Sequence, residues 1–162
     1  MDEHPDAVVR RLMAAARQAA LATTLARDDS GRPYASLVLV APAPEGSPLL
    51  LLSDLAEHSR NLKRDARAAL LFDGTAGLDD PLTGPRASIL GQVHPVPGGA
   101  EGEALRASFL ARHPAAAAYA DFADFRVYRM AVESAHLVAG FGRIHWLTAA
   151  EIMAAPDPRA AP

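Results

Sequence analysis

The 162-residue chain is half hydrophobic, with 22% charged and 6% aromatic side chains, a balance that supports one globular domain with an ordinary core and excludes a disordered chain. Nineteen acidic against sixteen basic residues leave a formal charge of −3, so no excess of positive charge draws the protein to nucleic acid or anionic lipid. The absence of cysteine removes disulfides, thiolate nucleophiles and zinc-thiolate sites, and points to a reducing cytoplasm.

Residues 1–5 are acidic and lack the basic and apolar stretches of a signal peptide. Over residues 6–19, Val8, Val9, Leu12, Ala16 and Ala19 fall close to one face, which predicts a packing helix opening near Pro5. Residues 20–26 and 33–41 flank the polar turn formers of 27–32 and read as a hairpin. Proline and glycine break the chain over 42–48, and residues 49–52 then read as a third, buried strand. A short helix over about 55–64 follows, with Ser53 or Asp54 as its N-cap, then a strand over 68–72 and a surface loop over 73–85. A strand over 86–96, an amphipathic helix over 100–112, and strands over 125–138 and 144–147 complete a single domain of residues 1–153, with 154–162 as a frayed tail. The apolar runs at 37–41 and 49–52 fall far short of the roughly 20 residues a membrane span needs. Strands in hairpin-like succession with helices at the edges predict a mainly β, antiparallel barrel rather than a doubly wound sheet.

Chemistry concentrates in three places. On the 55–64 helix, Leu55, Ser59, Leu62 and Ala66 share the stripe expected to face the core, and His58 and Asn61 lie together on one flank. The free amides and positive dipole end of that helix, the Ser53 hydroxyl, His58 and the Arg60 guanidinium form a possible phosphate seat; a capped surface helix with solvated polar residues fits the same spacing. Arg86, at the entry of its strand beside Pro81 and Pro85, is either a ligand arginine or an ordinary strand-end one. Ser36, polar within an apolar strand, either faces solvent or turns its hydroxyl to a ligand. The run from Gly140 to Leu147 packs two glycines, Arg143, His145 and the single Trp146 together, which suits a planar ligand, a subunit contact, or a bulge with core aromatics. The remaining histidines show no metal-ligand spacing, so no protein-only metal site is expected. Neither a Gly-x-Ser-x-Gly elbow nor a Gly-x-Gly-x-x-Gly loop occurs, and no catalytic residue can be singled out.

Three stretches carry a family likeness: residues 31–38, Gly-Arg-Pro-Tyr-Ala-Ser-Leu-Val; residues 52–68 with Leu-Ser, His-Ser-Arg-Asn-Leu and Asp-Ala-Arg-Ala; and residues 125–142 with Phe-Arg-Val-Tyr-Arg and Ala-Gly-Phe-Gly. Through them the chain resembles the pyridoxamine 5′-phosphate oxidase-related FMN-binding split barrels, most of all the branch that includes haem-utilisation proteins. The resemblance implies a six-stranded antiparallel split β-barrel with peripheral helices, a homodimer with FMN in each of two intersubunit clefts, and a flavin-dependent oxidoreductase acting on a small molecule. It implies that Ser36, Leu37 and Val38 line the flavin ring, that Ser53, His58, Arg60 and Asn61 hold its phosphate, that Arg86 approaches its polar edge, and that Arg143 and Trp146, with His145, reach the partner's cofactor. Many flavin-binding members carry a lysine where His58 stands and a basic residue where Ser36 stands, whereas the haem-utilisation branch shows His followed by Arg-Asn. A haem-binding protein without flavin is therefore the alternative.

Overall fold

The computed structural model describes residues 3–154, so all of the expected tail beyond Ala154 lies outside the described residues. Helix α1 (Pro5–Ala15) starts with proline in its first turn, where a missing N–H costs nothing, and buries Val8, Val9, Leu12 and Met13. It ends earlier than the spacing predicts. Ala16 is already extended, and from Gln18 the burial period drops to two, so Ala19 sits on a strand instead of the helix. Alanine at 16, 19 and 20 satisfies both periods, and the sequence there carries no break signal.

Eight strands form one antiparallel sheet: β1 (Gln18–Thr24), β2 (Pro33–Leu39), β3 (Ala41–Pro42), β4 (Pro48–Ser53), β5 (Arg67–Asp73), β6 (Arg86–Pro95), β7 (Phe125–Val138) and β8 (Ile144–Thr148). Six of them run for six residues or more, the number the resemblance implies; β8 is the short strand expected over 144–147, and β3 is a two-residue addition. The order is β2-β1-β5-β6-β7-β4-β3, with β8 on β7. The third predicted strand therefore does not continue the first hairpin; β4 crosses over to pair with β7. This half-barrel with flanking helices is a split barrel. Its core holds Leu21, Leu50, Leu70, Phe72, Ile89, Met130 and Leu137, each almost wholly buried and each contributing about 1.5–3 kcal/mol of burial free energy.

Helix α2 (Glu57–Arg64) sits between β4 and β5, α3 (Ala100–Arg112) between β6 and β7, and α4 (Ala149–Met153) closes the described chain. Helix α3 covers a smaller apolar cluster through Leu105 and Phe109. The predicted start of the second helix moves: its N-cap is Ala56, without a side-chain cap, and Leu55 is 70% exposed rather than on the core stripe. Ser59 and Leu62 do face inward.

One feature of this topology positions the site. Strand β4 pairs with β3 only at Pro48 and Leu49, so over Leu50–Ser53 its edge away from β7 has no strand partner. The free edge of β2 lies on the other side of β1, and the gap between these two edges is the split in the barrel.

Candidate functional site

The split is a groove of about 350 Å³, lined by Leu37, Val38 and Leu39 of β2, Leu51, Leu52 and Ser53 of β4, Ala56 and His58 at the start of α2, and Tyr119 with Phe125 opposite. Its walls are apolar and its single imidazole stands at the helix. Alternation along β2 turns Ser36 and Val38 toward the inner side, while Leu37 stays 70% exposed. The Ser36 hydroxyl lies 3.1 Å from His58 Nδ1. The other ring nitrogen of His58, Nε2, meets no hydrogen-bond partner among the described residues. Partial burial of the imidazole pulls its pKa below the ordinary histidine value, so the ring is neutral at pH 7.

The remaining expected site residues divide. The Ser53 hydroxyl donates to the Asp124 carboxylate and accepts from the Leu55 N–H at 3.1 Å, so it shapes the turn before α2 and does not cap the helix. Asn61 is fully buried: its Oδ1 accepts from the Ala26 N–H at 2.8 Å and its amide donates to Thr23 Oγ1 at 2.9 Å, which ties α2 to the end of β1. His58 and Asn61 thus leave the helix toward different surroundings, because α2 docks on β1 with Asn61 beneath it and His58 at its margin. Arg60 is exposed and pairs with Glu57 at 3.6 Å, outside the groove lining. Arg86 donates to the carbonyls of Leu82 at 3.0 Å and Gly84 at 3.2 Å, bracing the 73–85 loop. Arg143 donates to the Ala139 carbonyl at 2.9 Å and, with His145, lines a depression beside the start of α1. Trp146 is 65% exposed on the outer face of the sheet, its ring centroid 4.7 Å from that of His136 and the two planes tilted by 39°.

Within one chain, then, Ser36, Leu37, Val38, Ser53 and His58 come together, with Asn61 as a brace behind them. Arg60, Arg86, Arg143 and Trp146 stand apart. Tyr119 and Phe125, whose rings meet at 4.9 Å, form the far wall. Nothing in their sequence spacing marks them, although the run Tyr119 to Phe125 is rich in aromatics. Among the described residues no group of His, Asp or Glu gathers to hold a metal ion by itself, and no helix is long and apolar enough to cross a membrane.

Comparison with known proteins adds four findings. The family model described as CREG, beta-barrel matches residues 2–154. Non-canonical heme oxygenase HOZ, chloroplastic, of Arabidopsis thaliana is 31% identical over 118 residues, 73% of this chain but 35% of that protein. Among solved structures, the heme binding protein from Mycobacterium smegmatis superposes with a TM-score of 0.85 at 32% identity, over 94% of this chain and 61% of that one. A Clostridium acetobutylicum protein of the pyridoxinephosphate oxidase family, related to general stress protein 26, superposes with a TM-score of 0.69 at 14% identity, over 94% of this chain and 99% of that one, a likeness of fold alone. The chain spans about a third of the curated relative and about three fifths of the mycobacterial structure.

Proposed function

Since the chain belongs to the CREG beta-barrel family, we propose that it binds haem in the split of the barrel, with His58 as the iron ligand. One observation carries this reading: a neutral imidazole, held through Nδ1 by Ser36, stands at the wall of an apolar groove with Nε2 unpartnered among the described residues. With the Ser36 hydroxyl accepting from Nδ1–H, the Nε2 lone pair is free for a metal, and the ring is oriented by a hydrogen bond outside the coordination sphere. The apolar walls from β2, β4 and Phe125 suit a flat macrocycle and keep water from it. Bound iron supplies redox chemistry there; the chain's own residues hold, orient and desolvate it. The relatives named as a heme oxygenase and a heme binding protein support the same ligand.

The flavin reading is less favoured by the donor set. A flavin phosphate carries a dianion that this fold would have to neutralise, and neither Arg nor Lys lines the groove. Glu57 occupies the first turn of α2 and Arg60 is turned to it. We also infer that a second copy closes the groove, because Leu37 and Leu39 belong both to its lining and to the exposed outer face of the sheet.

Titration with hemin, and in parallel with FMN, tests the reading. Wild-type protein is expected to give the Soret band of a coordinated ferric haem and to retain no flavin after desalting. His58→Ala should abolish the coordinated spectrum, and Ser36→Ala should weaken haem binding by about tenfold, the lower end of what removing such a supporting bond costs a metal site. Retained flavin, or a hemin spectrum that His58→Ala leaves as it was, overturns the assignment.

A further inference from the structure

Beyond the far end of α2 lies a second cavity, of about 830 Å³, between that helix, the end of β6 and the start of β7. It shares no lining residue with the groove. Its charged groups are unevenly committed. Lys63, the chain's single lysine, places Nζ 3.2 Å from Asp54 Oδ1, and Arg126 Nε donates to Asp54 Oδ2 at 2.9 Å. Two cations on one carboxylate leave a positive charge uncompensated, in a chain whose net charge is −3. Arg64, also on the wall, spends both terminal nitrogens on the loop after β1, through the carbonyls of Ala26 and Asp28 and the Asp29 carboxylate. Arg126 uses only Nε, so its two terminal nitrogens meet no partner among the described residues and present a fork.

The rest of the cavity is of another character. Leu62, Val93 and Val96 supply apolar wall, and the ring of Tyr128, 1% exposed, lies among them. Burial raises the pKa of that phenol, so it stays protonated. A pair of cations with spare hydrogen-bond donors beside aliphatic side chains recognises an amphipathic anion better than bare inorganic salt.

We propose that this cavity is a binding site for a small organic oxyanion, its carboxylate or phosphate head held by Arg126 and Lys63 and its apolar body seated on Leu62, Val93 and Val96. The head group has two sources, a carboxylate or a phosphate monoester, and the chemistry of recognition is common to both. Asp54 sits between the two cations and keeps both side chains in place before the anion arrives.

The test is a two-dimensional amide NMR titration of the full chain with benzoate, phenyl phosphate and inorganic phosphate as separate probes. Saturable shifts at the amides of Lys63, Val93 and Val96 are expected with benzoate or phenyl phosphate, and the tighter of the two identifies the head group. Arg126→Ala should weaken that binding by about tenfold, the effect of one charge-assisted hydrogen bond, and Lys63→Ala should act in the same direction. Both side chains are more than half exposed, so neither substitution threatens the fold. Shifts that never saturate, or that both variants leave as in wild type, overturn the proposal; inorganic phosphate binding as tightly as benzoate overturns its apolar half. No haem is present in this titration, so its failure and that of the haem reading are distinguishable.

Discussion

Asn61 and Arg60 are neighbours in sequence, and both were expected at a phosphate, yet the structure gives them opposite standing. The Asn61 amide is fully enclosed and satisfies two groups that otherwise have nothing, the Ala26 N–H and the Thr23 hydroxyl. Asn61→Ala should therefore cost about 1–3 kcal/mol, the penalty for leaving buried polar groups unpaired, seen as a lower urea midpoint at unchanged slope. Arg60→Ala removes only an exposed pair with Glu57 at 3.6 Å and should leave the midpoint where it was. If the two variants unfold together, Asn61 is not the brace described here. Polar residue types at 53–61 were legible as a functional cluster from the sequence. Their division was not: one helical turn separates His58 from Asn61, and only the docking of α2 on β1 decides that one faces the groove and the other the interior. Ser36 is a similar case. Its place in an apolar strand left two readings open, and the imidazole 22 positions later in the chain chooses between them.

At the scale of elements, the long strands and α3 were readable because alternation and helical spacing there are unambiguous; α3 spans Ala100–Arg112 as the pattern predicts. Where alanine dominates, as at 14–20, hydrophobic period says little, and the helix-to-strand change was placed too late. Pairing partners were also out of reach, since β4 and β7 meet across more than 70 residues of chain. So was the bulge in the longest ladder. Leu90 faces Ser134 while Gly91 faces Val132, which leaves Glu133 as the extra residue on β7. The position opposite must be glycine, because a Cβ built on Gly91 would stand 2.1 Å from the Ala131 carbonyl oxygen. That atom is backbone and cannot swing away. Gly91→Ala should lower stability by about 1–3 kcal/mol, the usual cost of overpacking, measurable as a fall in Tm. A variant as stable as wild type means that the ladder can shift to take the methyl group.

At the scale of the molecule, one face of the sheet is left uncovered by the described residues. Following the register across the sheet, Leu37, Ala20, Leu71, Ser88, His136 and Trp146 lie in one row of outward-facing positions. Leu37, Leu71 and Trp146 in that row are 70%, 42% and 65% exposed, and Ile144 beside them is 59% exposed. Large apolar side chains repeated along one exposed row are costly to leave in water, which favours an interface there. Small residues at Ala20, Ala22 and Ala35 keep part of the face flat, which suits a second sheet lying on it. Because the row ends at Leu37, beside Leu39 on the lip of the groove, a second copy seated there would complete the proposed haem site as it buries the face. Leu71→Asp combined with Trp146→Asp places two charges in the row at positions that do not line the groove, where burial without a partner is prohibitive. Sedimentation velocity should show a dimer for wild type and a monomer for the double variant, and hemin affinity should fall with the association even though His58 and Ser36 are untouched. A wild-type chain that sediments as a monomer at micromolar concentration, or a monomeric double variant that takes up hemin as well as the parent, would mean that the split in a single barrel is the complete site.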